Sequence, residues 1–351
     1  MRFGIGARLG AVAAILVASA GIGGFAPAAA CGGVFTGAAA GSAATVHREA
    51  ALASWDGHRE TLIMQLTLRT GADNAALIVP TPTPATVGAA APDTFTELAA
   101  RTAPQVRTSY RWFAEVDGET GAPKSGVPAV RDRVRLGPIE AATLSGGDLT
   151  GIRKWLGDNG YQITPQVADR MTSYLRDGWS FVALRLTSDR PLSGAVDPVR
   201  IVFDTDRLIY PMRMSAAATA PQTVELFLLG AHRMQRSDPD AGKHRQTLEF
   251  ADRITDPTDP DLRALSAGGR DYLTALQIAI DIPGTITTDL TFTDAPTDTP
   301  FRSRVDRVEN ADILGMPGGI ILFAAFGAVG LFALIFVFVP NRPRRGDYWA
   351  A

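Results

Sequence analysis

One cysteine, Cys31, is all that this 351-residue chain contains. A single thiol cannot close an intrachain disulfide, so a body of this size must stand on its hydrophobic core. Lysine is nearly absent as well. Arginine outnumbers it 31 to 3, which reads as the codon bias of a GC-rich bacterial genome and not as an arginine-based function. There are four histidines, His47, His58, His232 and His244. No two have the i, i+4 spacing of a zinc-protease helix, and no His-x-His occurs. A Gly-x-Ser-x-Gly elbow, a Walker loop and a Ser-x-x-Lys pair are all missing. These absences remove the common signatures of metal hydrolysis, nucleotide binding and serine catalysis. Catalytic groups dispersed along the chain stay open, because a triad is recognised by geometry and not by order.

Long apolar runs occur only at the two ends. Arg2 and Arg8 precede an apolar run from Leu9 to Ala20 and a small-residue segment ending Ala28-Ala29-Ala30. That order is the pattern of a secretory signal, expected over residues 1–30. Cleavage there would make Cys31 the first mature residue, either lipid-modified or a free thiol at the tip. Near the other end, residues 318–339 carry no charge, and at 1.5 Å per residue they match the roughly 30 Å hydrocarbon core of a bilayer. Arg342, Arg344 and Arg345 follow at once, so the positive-inside tendency places residues 340–351 in the cytoplasm and the body outside. With the charges of both ends set aside, 29 basic residues face 35 acidic ones, a balance of about −6. A mildly acidic body carries no footprint for nucleic acid.

Between the ends, Asp56-Gly57 is a hairpin signal flanked by Val46–Trp55 and Arg59–Arg69. A strand over Ala75–Val79 runs into Pro80-Thr81-Pro82-Thr83-Pro84, where the sheet is expected to stop. Asp93 caps a short helix over Thr94–Arg101, and strands follow at Val106–Val116 and Arg131–Leu136. The middle is helical: Asp148 caps a helix bearing Leu149, Ile152, Trp155 and Leu156, and Thr164-Pro165 starts another bearing Val167, Met171, Tyr174 and Leu175. Strands return at Ser180–Leu186, Val199–Phe203, Arg207–Tyr210, Thr223–Leu229, Ala275–Ile282 and Ile286–Phe292. Ser237–Lys243 and Thr255–Asp261 read as polar loops, and Thr293–Asn310 as a stalk. No 20–50-residue repeat is present. The resulting organisation is a β-rich α+β extracytoplasmic body over residues 31–292, as one domain or two subdomains. A polar stalk (293–317), a transmembrane helix (318–339) and a short tail follow.

With those segments located, the chain resembles the bacterial domain of unknown function family 2330. The matching stretches are Ala30-Cys31-Gly32-Gly33, Leu77-Ile78-Val79-Pro80-Thr81-Pro82, Leu144-Ser145 leading into Trp155-Leu156 and Gly160-Tyr161, Gly178-Trp179-Ser180-Phe181-Val182-Ala183-Leu184, and Leu208-Ile209-Tyr210-Pro211-Met212-Arg213. They span residues 30–215 in order. The resemblance implies an exported, membrane-attached protein with no known activity or site residues.

Five groups of residues bear on chemistry. His47 and His58 flank the hairpin and are weighed as a metal pair against two solvent-facing strand histidines. Asp252, Asp256, Asp259 and Asp261 form an oxygen-rich loop, weighed for calcium but interrupted by two prolines and lacking the EF-hand spacing. Trp155, Tyr161, Tyr174 and Trp179 cluster on the helical pair and read first as core, then as a groove. Asp148 and Asp158 with Arg153 read as caps and an exposed pair. Cys31 has no histidine near it in sequence to activate it. No residue is thereby assigned a catalytic, cofactor-binding or metal role, and no cofactor is implied. The expected function is a binding or structural module of the bacterial envelope, held by the lipid bilayer through its C-terminal helix and meeting an envelope protein or ligand. The rival readings are a membrane-tethered hydrolase and a subunit assembling through the small-residue face Ala324/Ala328 of its helix.

Overall fold

The computed structural model describes residues 33–35, 45–111, 133–134, 140–144, 149–313 and 316–338. The signal segment, Cys31, Asp148 and the C-terminal tail lie outside them. β1 (Gly33–Phe35) opens the described chain. β2 (Thr45–Trp55) and β3 (Arg59–Arg69) form the hairpin signalled by Asp56-Gly57. Gly57 takes a φ of +103°, which only glycine adopts without strain. The Asp56 carboxylate accepts from the backbone N–H of Arg59 and His58, and those bonds lower its pKa.

β4 (Asn74–Thr81) continues two residues past the expected stop, with Pro80 opposite Phe181. Among the described residues β1 opposes Ala76–Ile78, and the proline removes one ladder donor without ending β4. β5 (Thr86–Ala89), α1 (Thr94–Thr102), β6 (Gln105–Arg111), β7 (Arg133–Val134) and β8 (Glu140–Leu144) follow. α2 (Thr150–Asp158) has Leu149 at its capping position, and Asn159-Gly160 ends it, with Gly160 at φ +80°. α3 (Pro165–Arg176) starts as expected: the Thr164 hydroxyl accepts from the Val167 N–H, and Pro165 fills the first turn.

β9 (Ser180–Thr187), β10 (Ser193–Val196), β11 (Val199–Asp204) and β12 (Leu208–Tyr210) lead to a 3-10 turn at Arg213–Ala217. β13 (Gln222–Gly230), β14 (Met234–Arg236) and β15 (Arg245–Arg253) come next. The stretch expected as a polar loop at Thr255–Asp261 instead opens α4 (Pro260–Ser266). Asp259 caps it by accepting from the N–H of Asp261 and Leu262. β16 (Tyr272–Ile280) and β17 (Leu290–Asp294) are separated by a second 3-10 turn, Pro283–Thr285. Where a stalk is expected, the chain forms β18 (Phe301–Arg302), which pairs with β15, and β19 (Arg304–Asn310), which runs parallel to β6. Polarity misleads there because these strands are exposed and need no apolar alternation. β20 (Asp312–Ile313), β21 (Met316–Pro317) and α5 (Gly318–Phe338) complete the described chain.

The strands assemble into a large mixed sheet, ordered β18-β15-β16-β13-β2-β3-β10-β7 with β11 and β5 continuing from β3. A four-stranded sheet, β1-β4-β9-β8, and a three-stranded one, β12-β17-β14, accompany it. Alternation in the strands explains the layering. Leu77, Val79, Val182 and Leu184 of the four-stranded sheet face Leu62, Met64, Ala51 and Ala53 of the large sheet in one core. On its reverse, Ala76, Ile78, Phe181 and Ala183 pack against Ile152 and Leu156 of α2 and Val167, Met171 and Tyr174 of α3. The far face of the large sheet, through Ala50, Leu52, Ile63 and Phe227, receives Phe95 and Leu98 of α1 and Leu262 of α4. The body is thus a β-rich α+β sandwich of four layers: helical pair, small sheet, large sheet, helices.

α5 is a continuous 21-residue helix with no charged residue. Among the described residues no helix is long and apolar enough to cross a membrane. The part of α5 whose side chains are described, Ile321–Leu334, falls short of the roughly 20 residues a span needs.

Candidate functional site

The most heavily organised polar site lies where α3, the turn after β12 and the approach to β17 meet. Gly178, at φ +77°, ends α3 and turns the chain into β9, bringing Trp179 against Tyr174 with ring centroids 4.8 Å apart. Arg213, first residue of the 3-10 turn, lays its guanidinium over both rings, 4.0 Å from the Tyr174 centroid and 5.4 Å from that of Trp179. Asp289 holds the group together. Its carboxylate accepts from the Tyr174 hydroxyl in a short bond, from the N–H of Met212 (2.7 Å) and Arg213 (3.0 Å), and from Arg213 Nε (2.7 Å). Arg213 Nη1 donates to Asp177 at 2.6 Å. Burial first, and the Asp289 charge second, push the Tyr174 phenol well above its usual range. A phenol so placed is a fixed donor and not a base or nucleophile.

Above this knot lies a cleft of about 530 Å³, lined by Gln166, Asp169, Arg170 and Ser173 of α3, by Arg213 and Ala217, and by Thr287. Its walls offer amide, hydroxyl, carboxylate and guanidinium groups together, with both signs of charge. That inventory can hold a polar ligand by hydrogen bonds. Among the described residues, no histidine lines it.

The residues singled out in the sequence fall elsewhere or into the framework. Tyr161 and Tyr174 are buried and Trp155 and Trp179 half-buried in the core beneath the helical pair, and the Tyr161 hydroxyl donates to Asn74 at 3.0 Å. Lys154 and Asp158 form an exposed i, i+4 pair at 2.8 Å. His58 is exposed at the hairpin, and the His47 side chain is outside the described residues. In the acidic loop, Asp259 is spent on capping α4 and on the Thr94 hydroxyl. Asp261 accepts from the Ala91 N–H and pairs with Arg200. No group of residues able to hold a metal occurs among the described residues.

His232 meets Asp298 on the surface at 2.8 Å. The buried His244 places Nε2 3.2 Å from the Thr285 hydroxyl, but its Nδ1 has no partner, so the carboxylate that would orient a catalytic imidazole is missing.

Two buried carboxylates of the hairpin, Glu49 and Glu60, also escaped the sequence reading. Glu49, on β2, accepts a short hydrogen bond from the Tyr210 hydroxyl. Glu60, fully buried on β3, accepts from the Ile209 N–H at 2.9 Å through one oxygen, while the other has no partner. Burial pushes the Glu60 carboxyl well above its usual range, with the Ile209 bond opposing. A raised carboxyl gives stability that is full below the unfolded value of 4.5 and falls as pH rises through the folded one. Glu60→Gln keeps the acceptor and removes the titration. Over that window wild type is expected to lose up to about 1.4 kcal/mol per pH unit relative to the variant. Urea unfolding at a series of pH values checks this, and parallel curves would refute it.

Two of the stretches that carry the family likeness meet at the knot, through Trp179 and through Met212-Arg213. Gly33 begins β1 on the edge of β4, β4 pairs with β9, and Trp179 lies beneath Arg213. A bacterial family whose description reads "Uncharacterized protein conserved in bacteria", the domain of unknown function family 2330, matches over residues 25–293. The chain belongs to that family. The matched span of this family 2330 member takes in the whole Arg213–Asp289 knot and its cleft. No curated protein matches the chain. Among solved structures, baculovirus P35 is similar over 72% of this chain and 98% of that one, at 7% identity and a TM-score of 0.37. A likeness that remote carries no argument about fold or function.

Proposed function

We propose that this family 2330 protein is a binding module of the bacterial cell envelope and that the cleft beside Arg213 receives its ligand. The cleft carries the reading: it is polar, it holds both charges, and it sits on a knot of buried hydrogen bonds that fixes Arg213 before any ligand arrives. The mixed lining favours a polar ligand or an exposed segment of an envelope protein over an apolar one. We further propose that α5 crosses the membrane once. An uncharged helix followed by Arg342, Arg344 and Arg345 supports a body outside and a tail in the cytoplasm, and the pattern of residues 1–30 supports export.

The test uses the intact protein purified from its native membrane, as wild type and as Ser173→Trp, which fills the cleft from α3. A species that co-purifies with wild type and is lost at least tenfold from the variant supports the cleft. Equal recovery from both refutes it. Protease added to intact, wall-stripped cells should remove the body, and digestion of the tail alone would overturn the topology.

A further inference from the structure

Apart from α5, the parallel ribbon of β6 and β19 is among the least covered regular structures of the described residues. All seven residues of β6 are exposed, including Val106 and Tyr110, and Val308 of β19 is exposed as well. Parallel strands ordinarily lie buried on both faces, and a two-stranded ribbon alone is marginal in water. The register shows what its faces offer. Gln105 stands opposite Arg304, Arg107 opposite Asp306, and Arg111 opposite Asn310. Alternate residues share a face, so Arg107, Arg111 and Arg304 lie together with Asp306 as the one acid among them. Arg307 and Glu309 approach each other within 3.8 Å on the reverse face. A body with an acid excess of about six thus carries one locally basic surface.

Its place in the chain identifies the partner. Both strands run toward α5, and the ladder ends where the Ala311 N–H donates to the Arg111 carbonyl at 2.9 Å. From Ala311 to Gly318 the chain can reach at most roughly 25 Å. The β20/β21 pairing of Asp312 with Pro317 folds that link back and shortens it. The basic face is therefore tied close to the start of α5. We propose that it rests on anionic lipid headgroups around the point where α5 enters the bilayer, an inference that depends on the reading of α5 as an anchor. Guanidinium groups match phosphate oxygens in paired hydrogen bonds. Such contact covers that face of the ribbon and fixes how the acidic body, with its cleft, stands on the membrane.

The test places the full chain in nanodiscs of phosphatidylcholine alone and of phosphatidylcholine with phosphatidylglycerol, and follows backbone hydrogen exchange. Peptides covering Gln105–Arg111 and Arg304–Asn310 should exchange several-fold more slowly in the anionic discs. Roughly 0.5 M salt should abolish the difference. So should the pair Arg107→Glu with Arg304→Glu, while exchange in the rest of the body stays unchanged. Equal exchange in both disc types would overturn the proposal. Protection that instead follows protein concentration in lipid-free detergent would also overturn it, by showing that a second copy covers the ribbon. A chain that never enters the discs would sink the anchor reading itself, which separates the two failures.

Discussion

Replacing Asp289 by alanine is expected to cost about 3–5 kcal/mol, the range for removing one partner of a buried charged group. The loss is large because one carboxylate binds two distant pieces of chain, α3 and the turn after β12. Without it the Tyr174 hydroxyl, fully buried, has no acceptor, the Met212 N–H loses its own, and the Arg213 N–H keeps only the Tyr174 hydroxyl. Arg213 keeps only Asp177, whose side chain is 49% exposed and whose attraction is correspondingly screened. Two milder variants set the scale. Tyr174→Phe leaves the ring under the guanidinium and the Arg213 N–H on Asp289, and forfeits the two bonds of the hydroxyl, about 1–2 kcal/mol. Asp177→Ala removes a solvent-facing partner and should cost less than 1 kcal/mol. Urea unfolding of the three variants checks the order. A cost for Asp177→Ala equal to that for Asp289→Ala would show that burial is not what gives the knot its strength. Domains of this kind are stable by only about 5–15 kcal/mol, so the alanine variant should also show a large drop in melting temperature.

The same residues show how far the sequence could be read. Local signals translated directly. Asp56-Gly57 is a turn, Thr164-Pro165 starts α3, and Gly178 ends it with a positive φ. β15 was missed because its burial does not alternate cleanly and its register shifts between Leu248 and Phe250. α4 was missed although its signal, Asp259 before Pro260, is the ordinary cap-and-proline start; the surrounding acids and prolines made it read as a loop. The sequence marks β4 and β9 as strands but does not say what either face packs against, so the four layers were not legible. The site was harder still. Tyr174, Arg213 and Asp289 are far apart in the chain, and the hydrogen bond from Tyr174 to Asp289 spans 115 residues. An aspartate preceding an apolar strand looks like a turn residue until the fold brings a phenol and a guanidinium to it. The aromatic cluster was correctly read as core, and only the arginine stacked on its rim turns that core toward a cleft.

Asp238→Ala is expected to be as damaging as Asp289→Ala, for a simpler reason. Arg236 and Asp238 are paired through two parallel bonds, Nε to Oδ2 at 2.9 Å and Nη2 to Oδ1 at 2.7 Å, and both side chains are wholly inaccessible. Asp238 also accepts from the Asp240 N–H, which starts the turn between β14 and β15. Alanine at 238 would strand a guanidinium whose Nη1 already has no partner, a cost of about 3–5 kcal/mol. Desolvating two charges consumes most of what their attraction returns, so removing both should cost far less than removing one. The double variant Arg236→Met/Asp238→Leu is therefore expected within about 1–2 kcal/mol of wild type. The coupling in that double-mutant cycle, read from urea unfolding, measures how much of the single-variant loss is the penalty of an unpaired charge. If the double variant fell as far as the sum of the two single ones, the pair would be contributing net stability. The turn from Ser237 to His244 would then depend on its charge and not merely on its shape.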